Sequence, residues 1–472
     1  MLQGTASGVG KSVLTAGLCR LLAREGISVA PFKPQNMSNN AAVTCDGGEI
    51  GRAQALQAFA CGLQASVDMN PVLIKPESDQ QAQWVVLGQS IGRKHAQNFK
   101  KDRQALLPTV LAAFQRLQQQ YDLVLVEGAG SPAEPNLMHN DIANMGFARA
   151  ANISVCLIGD IDKGGVFAAL KGTLDILEKE DRKRIKGILI NRFRGNRALL
   201  QDAITWMQQQ KPVFGVIPYL SLRLPDEDIP YQLNQHQSQG HFHIAVIAYP
   251  HMSNHDDVDP FRQHRDINIR LLSHASQLQT CDLLILPGSK HVVSDLAWLR
   301  QQGFEQAITR HLRYGGKVLG ICGGLQMLGK SIHDPQGIEQ QGTHTSLGLI
   351  DSHTHMEEDK TRKNIAITAK WPEEQAITGY EIHHGSSHDS HTFPFNHVSD
   401  DQQIMTTYLH GLFDSATFRQ SFLKKIGLSQ EAHADQSTVV MQSLDHLADT
   451  LATNLDPLFL EQLGYPQSRA NT

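Results

Sequence analysis

Short, nearly unbroken apolar runs alternate along this chain with longer stretches whose apolar positions recur every three or four residues. The first pattern predicts buried strands and the second helices packed by one face. In the first half, residues 1–3, 29–34, 121–130, 154–159, 185–191 and 213–218 read as strands, and 13–23, 166–177 and 198–208 as helices. Between 222 and 242 the periodicity lapses into prolines, acids and glutamines, the composition of an interdomain linker. A second series follows, with strands at 243–248, 281–286, 317–321, 365–370 and 379–383, and one in 406–413 that ends on His410. Residues 439–463 form an amphipathic helix or helix pair suited to packing on one of the domains. The division is 1–221, a linker 222–242, a second domain 243–435 and a helical tail 436–472. Strands alternating with helices predict an α/β protein of two doubly wound domains.

Chemistry is concentrated where these strands end. The first predicted strand runs directly into Gly4-Thr5-Ala6-Ser7-Gly8-Val9-Gly10-Lys11-Ser12, and a helix follows. Strand, glycine-rich loop, G-K-S and helix are together the context of a phosphate-binding loop. The backbone N–H groups of such a loop cradle phosphates, Lys11 reaches the outer ones and Ser12 ligates magnesium. The spacing is one residue longer than G-x4-G-K-S, with Thr5 at the place of the first glycine. The strand at 121–130 ends in Glu127 and glycines, where an acid meets a phosphate-bound magnesium ion, although an acid at a strand end is also commonly a salt-bridge partner.

In the second half, Cys322 stands between an apolar strand and a helical run, with Gly320 before it and Gly323-Gly324 after it. A nucleophile on a sharp strand-to-helix turn needs small neighbours, and the helix N-terminus favours the thiolate. His410 is the candidate base, and the N–H groups of Gly288 and Gly323 are candidates for an oxyanion hole.

Composition narrows the partners. A formal net charge of -5 over 472 residues gives no electrostatic reason to expect nucleic acid or an anionic membrane. No apolar run reaches the length of a membrane span and no signal pattern opens the chain, so a cytoplasmic protein is expected. The six cysteines lack paired spacing, which argues against a disulfide scaffold or zinc finger. The histidine-dense spots 353–355 and 383–384 lack a third ligand at metal spacing. Oligomeric state is open, a homo-oligomer included.

The motifs carry three resemblances. G-I-C-G-G resembles the nucleophile turn of class I glutamine amidotransferases, and the longer G-T loop that of dethiobiotin synthetase-like P-loop enzymes. That likeness implies a second phosphate-binding lysine at Lys33 and an adenine-reading asparagine at Asn191. As a whole the chain resembles the corrinoid amidoligases, the family of cobyrinic acid a,c-diamide synthase and cobyric acid synthase, with the latter favoured. V-A-P-F-K-P-Q-N-M-S-N-N, E-G-A-G-S-P-A-E-P-N-L, D-I-A-N-M-G, D-I-D-K-G-G-V-F-A, G-Y-E-I-H-H-G and Y-L-H-G-L-F-D carry it. The resemblance implies ATP- and Mg2+-dependent amidation of adenosylcobyrinic acid a,c-diamide on its b, d, e and g carboxylates, with L-glutamine as donor. It places magnesium at Asp46 and Glu127, and a carboxylate tied to corrinoid activation at Asp141. Three positions depart from the usual pattern. Gly8 replaces an Asp, His384 a Met, and Leu412 stands where most amidotransferases place the acid of H-x-E, which leaves a Cys322–His410 dyad with its orienting group unidentified. The competing readings are the sister diamide synthase and, in another class, a MinD-like ATPase switch with an inert amidotransferase domain.

Overall fold

The computed structural model describes residues 1–76, 81–95, 99–225, 240–387, 394–429, 431, 433–457 and 459–462. They fall into two units: Met1–Ser38, Thr44–Leu224 and Val440–Thr472 in one, Asn39–Val43 and Pro225–Val439 in the other. Most of the expected linker, 226–239, lies outside the described residues.

In the first unit six parallel strands lie in the order Val29–Phe32, Leu123–Val126, Leu2–Gly4, Val155–Asp160, Ile185–Phe193 and Val213–Pro218. A bridge between Leu2 and Glu127 joins the second of these to the third. Val29–Phe32 is buried at every position, as a strand covered on both faces must be. The sheet brings the loop after Leu2–Gly4, Lys33 and Glu127 to one edge, because parallel strands all present their carboxyl ends on the same side. Between the strands Val29–Phe32 and Leu123–Val126 the chain inserts an antiparallel sheet that periodicity did not predict, built on Val72–Pro76, Gln81–Val86 and Gln89–His95.

The tail is not a separate module. Helix Gln436–Asn454 places Val440, Leu444, Leu447 and Leu451 at three- and four-residue spacing in one buried cluster with Leu14, Leu18 and Leu22 of helix Lys11–Arg24. Gly17 makes the approach possible, since a Cβ there would lie 2.6 Å from the Leu447 side chain.

The second unit holds five parallel strands in the order Ile267–Leu272, Phe242–Ile247, Leu283–Leu286, Lys317–Ile321 and Ile404–Thr407, with His397–Val398 antiparallel at the edge. The chain starts second in the sheet and reverses direction there, which opens a crevice at the carboxyl ends. A long hairpin, Thr361–Ala369 with Gln375–His383, contains both strands expected at 365–370 and 379–383. The last parallel strand ends at Thr407 and not on the histidine: His410 lies beyond it, bridged to Tyr380.

Leu447 is 1% exposed. Leu447→Ala should lower the unfolding free energy by about 2–5 kcal/mol in denaturant titration. Asp449→Ala, which removes only an exposed ion pair to Arg24, should cost no more than about 1 kcal/mol.

Candidate active sites

The phosphate loop of the first unit is held from behind. Gly8 and Gly10 adopt φ of 71° and 94°. A Cβ on Gly10 would lie 2.3 Å from Asn191 Nδ2, so only glycine allows this approach. Asn191 Nδ2 donates to the Val9 carbonyl at 2.9 Å, and Arg192 donates to both the Gly8 carbonyl and Asp160 at 2.8 Å. Nothing lies within 4 Å of a Cβ built on Gly8, but its positive φ would strain any side chain placed there, the Asp expected from the resemblance included. Thr5 is tied to the sheet through its N–H to the Ile158 carbonyl at 2.9 Å.

Glu127 gathers the rest. Its carboxylate is fully buried and takes Ser12 Oγ at 2.7 Å and Lys33 Nζ at 2.9 Å on one oxygen, and Gln57 Nε2 at 2.6 Å on the other. A carboxylate removed from water needs such donors, and a cation among them offsets most of its desolvation. Lys11 folds over the loop to the Ala6 and Gly130 carbonyls, at 2.9 and 3.0 Å. Gln57 was not anticipated; it lies on helix Arg52–Ala60, where a glutamine carries no signal of its own.

Two expected acids stand differently. Asp46 is exposed in the turn after Val43, its carboxylate accepting from the Thr44 hydroxyl, and no hydrogen bond among the described residues ties it to Glu127. Asp141 accepts from the N–H groups of Ala143, Asn144 and Gly146 at 2.8–3.1 Å, which caps the helix Met145–Ala150. That cap fixes Asn144, whose side chain exchanges hydrogen bonds with Ala129 at 3.1 and 2.6 Å and so holds the loop that carries Gly130.

In the second unit Cys322 has φ 52° and ψ −106°, a conformation rare outside glycine, at the junction of strand Lys317–Ile321 and helix Gly323–Leu328. Gly324 must lack a side chain, because a Cβ there would lie 1.9 Å from the Leu286 carbonyl oxygen. The Cys322 N–H is used by the Thr407 carbonyl at 2.8 Å, so the next residue is the nearest candidate oxyanion donor. Gly323 packs on the backbone of Ser289, since a Cβ on it would sit 2.7 Å from that nitrogen, and a Cβ on Gly288 would lie 3.4 Å from His410 Cε1. Cysteine, histidine and both glycines therefore come from neighbouring carboxyl-end loops of one sheet.

The group that orients His410 is Asp257. His410 Nδ1 donates to Asp257 Oδ2 at 2.7 Å, and the Gly411 N–H donates to Oδ1 at 2.9 Å. Burial, the largest influence, works against the imidazolium, but the Asp257 carboxylate and the Cys322 sulfur prevail and push the His410 pKa up to about 10. Asp257 was missed because it is 153 residues from His410. The only local signal was the acid-rich stretch Asn254-His255-Asp256-Asp257-Val258-Asp259 after the first strand of the unit, with three aspartates to choose from.

Comparison with known proteins agrees with the two halves. Residues 1–230 match the CobQ/CobB/MinD/ParA nucleotide binding domain, and residues 243–418 the CobB/CobQ-like glutamine amidotransferase domain. The chain is thus a ligase with a nucleotide-binding half and a glutamine amidotransferase half. A cobyric acid synthase of Halorhodospira halophila is 53% identical over 99% of this chain and 98% of its own, and one of Shewanella oneidensis is 48% identical over 97% of each. The chain belongs to the cobyric acid synthase family. No described helix is long and apolar enough to cross a membrane.

The histidine–aspartate pair has a signed pH consequence. A folded-state pKa raised to about 10, against about 6.5 in the unfolded chain, stabilises fully below pH ~6.5 and loses that contribution as pH rises through 10. Asp257→Asn should therefore destabilise the protein most at or below pH ~6.5, with the difference shrinking towards pH 10. Denaturation of both proteins across that range checks it.

Proposed function

We propose that this chain makes cobyric acid by amidating the b, d, e and g side-chain carboxylates of adenosylcobyrinic acid a,c-diamide, with ATP, Mg2+ and L-glutamine. The carrying observation is that one chain holds a phosphate loop hydrogen-bonded to a buried acid and, in its other unit, a strained cysteine beside an aspartate-paired histidine. The residues fit ATP and magnesium. Left-handed Gly8 and Gly10, Lys11 and the threonine turn at Thr5 suit a polyphosphate, while the Ser12 hydroxyl against Glu127 offers the hard oxygens that magnesium takes. Magnesium, when bound, would offset phosphate charge. Among the described residues no group of three or more His, Cys, Asp or Glu is placed to hold a metal ion, so phosphate and water would complete its shell. Asn191, on the loop backbone, is assigned to the adenine end, and Asp46 to the metal's outer surroundings.

A carboxylate is a poor electrophile with a poor leaving group. Attack of its oxygen on the γ-phosphorus of ATP gives an acyl phosphate and ADP; ammonia then attacks the acyl carbon and phosphate leaves. Lys11 and Lys33 offset the charge that meets at this step. The contacts of Asp141 favour a role in holding, through Asn144, the loop under Lys11. At the other site the Cys322 sulfur attacks the amide carbon of glutamine, Gly323 and Gly288 N–H groups receive the oxyanion, and imidazolium His410 gives its proton to the departing ammonia. Water then hydrolyses the γ-glutamyl thioester to glutamate. Ammonia passes from this site to the acyl phosphate without equilibrating with solvent, since free ammonium at neutral pH is protonated and cannot attack.

Mass spectrometry of the corrinoid after incubation with ATP, magnesium and glutamine tests the reading; four successive amidations are expected, and an unchanged corrinoid would contradict it. Cys322→Ala should abolish synthesis from glutamine and keep synthesis from ammonia. Lys11→Ala should lower both by about 100-fold or more, because both nitrogen donors depend on carboxylate activation; full amidation by that variant would overturn the phosphate-loop assignment.

A further inference from the structure

Residues 39–43 belong to the amidotransferase unit although they sit in the sequence of the nucleotide-binding half. They begin six residues after Lys33, and the Asn40 side chain reaches the segment that carries Asp257. Asn40 is 4% exposed. Its Oδ1 accepts the Asn254 N–H at 2.9 Å and its Nδ2 donates to His255 Nδ1 at 2.9 Å. Asn254 is in the left-handed conformation, φ 52° and ψ 42°, and immediately precedes the 3-10 segment His255–Gln263. Its carbonyl takes the Asp257 N–H at 3.2 Å. Its side-chain amide donates to the Tyr380 hydroxyl at 2.7 Å and, more weakly, to the Ala41 carbonyl at 3.4 Å.

Tyr380 closes the ring of contacts. Its side chain stacks on His410 with centroids 5.3 Å apart and planes at 25°. The two residues also exchange backbone hydrogen bonds of 3.1 and 2.9 Å. The imidazole is thus held on one edge by Asp257 and on one face by Tyr380, and both holders are referred to the same asparagine pair, Asn254 and Asn40. A left-handed non-glycine residue persists only where its surroundings over-determine it, and Asn40 supplies the partner for its N–H.

We propose that Asn40 is a positioning residue for glutamine hydrolysis: through Asn254 it sets Asp257 and Tyr380 against His410, so a peptide of the nucleotide-binding half completes the glutaminase. The inference rests on the Cys322–His410–Asp257 reading. Asn40 touches none of the reacting atoms, so its loss should leave glutamine binding nearly intact and slow turnover. A displacement of the order of 1 Å in a catalytic group costs as much as about 100-fold.

The test uses the full chain, with Asn40→Ala, Tyr380→Phe and Asp257→Asn measured beside the wild type. Asn40→Ala should reduce kcat for glutamine hydrolysis by about 10- to 100-fold, with KM for glutamine and ammonia-dependent synthesis nearly unchanged. Its basic limb should move to lower pH, because a misplaced Asp257 no longer holds the His410 proton as firmly against Cys322. Tyr380→Phe keeps the ring on His410 and removes only the hydroxyl, so it should show a smaller change of the same kind, and it serves should Asn40→Ala fail to fold. Wild-type kcat and pH limb in Asn40→Ala, with Asp257→Asn impaired, would overturn the inference and leave the triad standing. An equal fall in glutamine- and ammonia-dependent synthesis would also overturn it, as the mark of a merely structural role. Wild-type hydrolysis by Asp257→Asn would overturn the triad itself and the inference with it.

Discussion

The hydrogen bond between His410 and Asp257 is the contact around which the amidotransferase unit is arranged. Both groups are almost wholly buried, and burial alone would strip the imidazole of its proton. The aspartate reverses that outcome, and it is able to do so because the segment carrying it is itself fixed at Asn254. The sheet then does the remaining positioning. Cys322, the short strand Gly288–Ser289, the Asp257 segment and His410 follow four parallel strands whose carboxyl ends lie side by side. One departure from the sheet's regularity, the left-handed backbone at Cys322, turns the thiol out of the strand, and Gly324 gives it the room.

The nucleotide-binding unit solves a similar problem with a carboxylate as the centre. Glu127 without partners would be the costliest group in its surroundings; with Lys33, Ser12 and Gln57 it becomes a fixed point that joins the phosphate loop to the neighbouring strand. Lysine, hydroxyl and acid are thereby brought together before any ligand arrives, so little reorganisation remains for the reaction itself. Asp141 contributes at one remove, through the helix cap and Asn144.

Much of this was legible in the residues. The core strands were visible because both faces are buried, so their apolar runs are continuous, and the nucleophile turn because its glycines are adjacent in sequence. Cys322 and the Lys11 loop are local motifs whose chemistry and geometry fall within a dozen residues. What was not legible is non-local. Asp257 could not be told from Asp256 or Asp259 without knowing which one faces a histidine 153 positions away. The amphipathic stripe of the tail announces that it packs on something, but only the fold names helix Lys11–Arg24 as the partner. Strand Gln89–His95 is exposed along most of its length and so carries no alternation to read. Residues 39–43 lie in the nucleotide-binding half along the chain yet cluster with the amidotransferase unit, and a linear reading cannot see a peptide that pairs elsewhere.

In the proposed reaction the two sites serve one another only if the nitrogen set free at Cys322 is the nitrogen that reaches the activated carboxylate. The most direct measurement supplies the wild-type enzyme with amide-15N-glutamine, ATP, magnesium and the corrinoid in the presence of excess unlabelled ammonium, and reads the isotope content of the new amides by mass spectrometry. Protected transfer predicts amides enriched nearly as highly as the glutamine. Enrichment diluted to that of the ammonium pool would contradict it.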